Sequence, residues 1–161
     1  MENSSSSTSP KFKVVVLGDQ GVGKTSLIVR FVHDSFEPTN NATIGVDLLS
    51  KNVPVNEKLV RLLMWDTAGQ ERFRALIPSY IKDSAFALVL YDVCNLSSFH
   101  NAKTWVRDVR SYRGYEVPIC LVGNKVDKVE ERKVSIEEGE DLAQELNTLF
   151  FEVSAKSATN V

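Results

Sequence analysis

From Lys11 onward, short apolar runs alternate with amphipathic stretches, and the two periods predict strands and helices in turn. Phe12–Leu17 is rich in β-branched residues and stops at Gly18, the mark of a buried strand. Lys24–Val32 places Leu27, Ile28, Phe31 and Val32 on one helical face. Val46–Val53 and Leu59–Trp65 read as strands parted by Pro54 and the polar Asn56-Glu57-Lys58, which suits a hairpin. Phe86–Val93 is a further buried strand. Phe99, Ala102, Trp105, Val106, Val109 and Tyr112 then recur at three- and four-residue spacing, predicting a helix of about four turns. Val117–Val122 is a strand. Ser135-x-x-Glu138 opens the next helix as a capping box, its hydroxyl and carboxylate meeting free amides, and Leu142, Ala143 and Leu146 line the inner face. Leu149–Val153 makes the last strand. Strands alternating with helices predict an α/β, doubly wound, six-stranded and mostly parallel sheet with helices on both faces. In such sheets ligands bind beyond the carboxyl ends of the strands, so chemistry belongs just after each run.

Half of residues 1–10 are Ser, with no apolar residue after Met1, which predicts a disordered leader before a single domain over 11–161. The longest apolar run, Ala85–Tyr91, has seven residues, far short of the ~20 that span a membrane. Nineteen basic against twenty-one acidic residues leave a net charge of −2, which argues against a nucleic-acid binder. Cys94 and Cys120 read as reduced thiols of a cytoplasmic protein, and His33 and His100 have no partners at metal-ligand spacing.

Chemistry follows the strands as expected. Gly18-Asp19-Gln20-Gly21-Val22-Gly23-Lys24-Thr25, continued by Ser26, matches the phosphate loop G-x-x-x-x-G-K-[ST] between a strand and a helix. Its glycines let backbone amides wrap a polyphosphate; Lys24 would reach the terminal phosphates and Thr25 would bind Mg²⁺. After the third strand, Asp66-Thr67-Ala68-Gly69-Gln70 offers a carboxylate to hold Mg²⁺, a Gly69 amide to face the γ-phosphate, and Gln70 to orient an attacking water. After the fifth, Asn124-Lys125-Val126-Asp127 offers a carboxylate that can accept from both the ring N–H and the exocyclic amine of guanine. Ser154-Ala155-Lys156, after the sixth, can add a backbone amide to the guanine carbonyl oxygen. Thr43, in an Asn-rich loop, is a candidate second Mg²⁺ hydroxyl; Phe36 is a candidate edge-on contact to the base, with a core Phe as the alternative. Arg72 and Arg74 read as a partner-binding surface.

Together these motifs resemble a small GTPase of the Ras superfamily, and the residues between them resemble its Rab branch. Thr43-Ile44-Gly45-Val46-Asp47, Trp65 to Arg74 and Tyr91-Asp92-Val93 carry that resemblance. Leu76 to Ser84 and Val134 to Glu140 look like the Golgi-associated, retrograde-traffic subgroup. The resemblance implies a P-loop GTPase fold and a monomeric switch that binds GTP or GDP with Mg²⁺ and hydrolyses GTP. Residues 36–43 and 68–80 would be its moving parts. It also implies an exchange factor, a GTPase-activating protein, and effectors that read Leu48, Trp65 and Tyr80. Leu48 stands where Rab proteins usually carry Phe, and Asn40 where an aromatic residue is usual. Gln20 replaces a Gly of other branches, implying slow unaided hydrolysis. The family continues into a final helix and a prenylated tail that attaches it to Golgi or vesicle membranes. A chain ending at Val161 is expected to lack both, to leave an apolar sheet face open, and to reach a membrane only as a longer form. Two rivals stand beside the hydrolase: a nucleotide-dependent binding module without turnover, and an inactive truncated paralogue.

Overall fold

The computed structural model describes residues 9–36, 46–67 and 77–161. In chain order the elements are β1 (Lys11–Gly18), α1 (Lys24–His33), β2 (Val46–Val55), β3 (Lys58–Thr67), α2 (Ile77–Ile81), β4 (Phe86–Asp92), α3 (Leu96–Arg113), β5 (Ile119–Asn124), α4 (Ile136–Leu146) and β6 (Leu149–Glu152). A 3-10 turn at Val129–Glu131 precedes α4. The sheet runs β2-β3-β1-β4-β5-β6. Only β2 and β3 pair antiparallel; each other neighbouring pair is parallel. Strand order reverses at β1, so the ligand crevice lies beyond Gly18, where the predicted phosphate loop begins.

Alternation along the strands sorts the core into two layers. Val15, Leu17, Val89, Tyr91 and Leu121 meet the Phe99–Val109 stripe of α3 and Ala143 and Leu146 of α4. Val14, Val16, Leu90 and Val122 point the other way, toward Leu27 and Ile28 of α1. Tyr112, predicted on the inner face of α3, is exposed instead. Eighteen residues of helix run about 27 Å against about 23 Å for the seven residues of β4, so the last turn overhangs the sheet.

Local chemistry adjusts the predicted ends. β5 starts at Ile119, two residues after Val117, because Pro118 has no amide to give the ladder. β2 instead runs on through Pro54, which is tolerated on an edge strand. Asn56 and Glu57 both take positive φ (48° and 67°), the two-residue turn whose twist matches that of its hairpin. At α4 the Ser135 hydroxyl accepts from the Glu138 amide (3.1 Å), as the capping box requires. The Glu138 carboxylate, though, receives the Ser135 hydroxyl (3.3 Å) where the box would have it meet an amide. α2 was too short to announce itself by periodicity.

Among the described helices only α1 packs on its side of the sheet, against β1, β2 and β3. Beside it β4, β5 and β6 leave the expected open apolar face, a trough of about 570 Å³ lined by residues such as Phe12, Phe31, Phe86, Leu88, Leu149 and Phe151. Among the described residues no helix follows β6. Nor is any described helix long and apolar enough to cross a membrane. The predicted leader, Thr43, and Gly69 with Gln70 lie outside the described residues, apart from the end of the leader: Ser9 and Pro10 are described, and the Pro10 carbonyl accepts the Arg61 amide at 2.8 Å.

Candidate functional site

The loop after β1 takes its shape from glycines at positions where a side chain would be strained. Gly23 sits at φ +97°, and a Cβ there would come within 2.3 Å of the Asn124 side-chain nitrogen. Gly18 sits at φ +146°, where a Cβ would strike the Leu90 carbonyl at 2.5 Å. Val22, buried between them, anchors the loop in the α1-side core, while Gln20 and Gly21 are exposed. Gly23 caps α1 without a side chain, so the amides and positive end of that helix are presented toward the crevice. Ser26 is half-buried in the first turn.

Lys24 is buried at 6% exposure, with Nζ donating to the carbonyls of Gly18 (2.9 Å) and Asp19 (2.8 Å). Burial pushes its pKa from the ordinary 10.5 down to about 8, opposed by the carboxylates of Asp66 and then Asp19. The amine therefore stays charged at neutral pH, held by the loop that would otherwise cradle phosphate. Thr25 Oγ1 donates to Asp66 Oδ2 at 2.5 Å, joining the start of α1 to the end of β3. A hydroxyl and a carboxylate converging beside a phosphate loop are the hard oxygen donors that Mg²⁺ prefers, so the residues present fit that ion. Among the described residues no cluster of three or more His, Cys, Asp or Glu offers an alternative metal centre.

The segments expected to read guanine are knitted to the phosphate loop by their own side chains. Asn124 Nδ2 donates to the Val22 carbonyl (2.9 Å), and its Oδ1 accepts the Ala155 amide (3.3 Å). Lys125 Nζ donates to the Gly21 carbonyl (2.8 Å) and pairs with Asp92 Oδ2 (3.0 Å). Asp127 Oδ1 accepts the Ser154 hydroxyl (2.7 Å), and Ser154 Oγ in turn accepts the Ser157 amide (3.0 Å). Lys156 is exposed at the rim. Hence Lys24, Thr25, Asp66, Asn124, Lys125, Asp127 and Ser154 to Lys156, scattered over the chain, gather at one end of the sheet. Phe36 is half-buried and packs against the α1-side core.

Three members of this network were not marked as site residues by the sequence. Arg30, on α1, donates Nε to the Ala155 carbonyl (2.8 Å) and Nη2 to the Lys156 carbonyl (2.9 Å), clamping the Ser154-Ala155-Lys156 segment. Nothing in its spacing marks it, because its partners lie more than 120 residues away. Asp92, the counter-ion of Lys125, belongs to the Tyr91-Asp92-Val93 stretch that carries the family resemblance, but its role beside Lys125 has no mark in the sequence. Asp19 is bonded to α3 through Asn101 and Trp105. On the sheet's other edge, Leu48 and Trp65 stand opposite each other in the β2–β3 ladder; Leu48 is exposed, and the Lys13 amine lies 4.4 Å from the Trp65 ring centre. Of the third expected effector contact, Tyr80, the side chain lies outside the described residues.

Residues 13–161 match the Ras family, which takes in every described element of the site. With residues 13–161 matched and the glycine-rich loop, the Thr25–Asp66 pair and the segments after β5 and β6 gathered on a doubly wound sheet, the chain belongs to the Ras family of GTP-binding small GTPases.

Proposed function

We propose that this protein is a Rab-type switch that binds GTP with Mg²⁺, hydrolyses it to GDP and phosphate, and acts in Golgi-related vesicle traffic. The observation that carries the nucleotide part is the gathering of Lys24, Thr25, Asp66, Asn124 and Asp127 at the switch point of the sheet. Lys24 would exchange its two loop carbonyls for phosphate oxygens, so hydrogen bonds to neutral acceptors are replaced by stronger ones to charged acceptors. Mg²⁺, held by Thr25 and Asp66, would neutralise charge on the terminal phosphates. Asp127 would accept both donors of the guanine edge, while Ser154 holds that carboxylate in place. Thr43 and Gln70, the expected second Mg²⁺ hydroxyl and the water-orienting amide, would complete the site.

The traffic reading rests on the Rab-like segments and on the Leu48–Trp65 pair, a surface suited to effectors that read the GTP-bound state. An exchange factor and a GTPase-activating protein are the implied partners. The cytoplasm, and a Golgi or vesicle membrane for a longer prenylated form, is the implied location.

The test begins with nucleotide released from purified protein, followed by single-turnover hydrolysis beside Gln70→Leu. Bound guanine nucleotide and turnover that the substitution slows support the proposal. Equal inertness of both proteins, even with an activating protein, leaves a binding module without hydrolysis. Asp127→Asn should shift preference from GTP to the xanthine nucleotide by roughly 1.5–3 kcal/mol, the scale of a hydrogen bond to a charged group. Unchanged GTP affinity in that variant would remove Asp127 from base recognition.

A further inference from the structure

Asp19 joins the phosphate loop to a helix that takes no part in the family's motifs. Its Oδ1 accepts the indole Nε1–H of Trp105 at 2.8 Å, and its Oδ2 accepts the amide Nδ2–H of Asn101 at 2.6 Å. The donors are four residues apart on α3 and so share one face of it, more than 80 residues along the chain from Asp19. Trp105 is itself locked in place, with 2% of its surface exposed at the centre of the α3-side core. The main chain of the same Asp19 supplies one of the two carbonyls that hold Lys24 Nζ. One residue thus grips α3 by its side chain and the phosphate-binding lysine by its backbone.

The grip matters electrostatically. A carboxylate at the mouth of a polyphosphate site repels the ligand and competes for its lysine, and two unit charges a few ångströms apart interact by several kcal/mol when partly shielded from water. With both oxygens committed to α3, that carboxylate supports the Lys24 charge without bonding its amine, which donates to main-chain carbonyls instead. We propose that Trp105 and Asn101 are positioning residues for nucleotide binding: they hold the Asp19 carboxylate on α3 and so keep Lys24 available to phosphate. This rests on the guanine-nucleotide reading above. It also makes α3 a place from which a partner could tune nucleotide release, since tilting the helix would slacken the tether.

The experiment is a double-mutant cycle on GDP dissociation from the 161-residue chain in Mg²⁺ buffer. Trp105→Phe keeps the packing of an aromatic ring but removes the donor, and should speed GDP release about tenfold. In an Asp19→Ala background, with no carboxylate left to swing inward, the same substitution should change release less than twofold. Asn101→Ala, at an exposed position, should give a smaller acceleration with the same dependence on Asp19. A purely structural Trp105 would produce equal factors in both backgrounds, and that result, or no acceleration in either, overturns the proposal. If Trp105→Phe does not fold, the Asn101→Ala cycle decides by the same criterion. An independent reading comes from the indole N–H proton resonance of Trp105 in the nucleotide-free protein, which should move on Asp19→Ala; a stationary resonance also overturns the tether. A wild-type chain that retains no guanine nucleotide would sink the functional reading and this role with it, and the resonance would still report separately whether the contact forms.

Discussion

Lys24 sets function against stability, and Lys24→Met measures how far. In the nucleotide-free protein its amine is buried and charged, with two loop carbonyls as hydrogen-bond partners and its pKa lowered from 10.5 to about 8. That drop corresponds to roughly 3 kcal/mol held against the charged form. Met keeps most of the stem's packing and abolishes the charge, but leaves the Gly18 and Asp19 carbonyls without that donor, at about 1 kcal/mol each. The balance is a nucleotide-free variant more stable than wild type by about 1 kcal/mol, a rise in Tm of roughly 2–4 °C for a domain of this size. Its pH dependence identifies the cause. Below pH 8 both the folded and unfolded lysine are protonated, and the wild type bears the whole penalty. From pH 8 toward 10.5 the unfolded chain binds the extra proton, so wild-type stability rises relative to the variant by up to about 3 kcal/mol; the gap of about 1 kcal/mol closes below about pH 9 and the order then reverses. Excess GDP reverses the order: at 100 times its Kd it stabilises the wild type by about 2.7 kcal/mol and leaves the variant where it was. Thermal melts of both proteins from pH 7.5 to 10, with and without GDP, make the comparison. A variant that melts several degrees below the nucleotide-free wild type at about pH 7.5, or a gap that ignores pH, would refute the reasoning.

Two further expectations follow from contacts away from the lysine. Arg30→Ala removes both bonds to the Ala155 and Lys156 carbonyls, and should weaken guanine nucleotide affinity by about tenfold with little change in the affinity for inorganic polyphosphate; competition binding with both ligands checks the split. Phe151→Ser trims the open trough at a residue already more than half exposed, so it should cost about 1 kcal/mol or less in a denaturant melt while cutting hydrophobic-dye binding and aggregation.

Local pattern sufficed wherever the deciding interaction was local. Six strands, the α1, α3 and α4 helices and the phosphate loop follow from short apolar runs, from three- and four-residue spacing, from Gly at Gly18 and Gly23, and from Ser135 as a cap. The residue types around the ligand were legible for the same reason: a glycine-rich loop between strand and helix, and a carboxylate at a strand end, announce their chemistry within a few positions. Only the tertiary structure decided how these pieces check one another. Asn124 reaching the Val22 carbonyl, Arg30 gripping residues 155 and 156, and Asp19 bonded to Trp105 all join partners more than 80 residues apart. Trp105 shows the division most clearly. Spacing places its ring in the core, and it is there, but whether its indole N–H meets a carboxylate depends on where a loop from another strand comes to rest. Periodicity assigns a side chain to a face; the partner it finds on that face is set by the packing of the whole sheet.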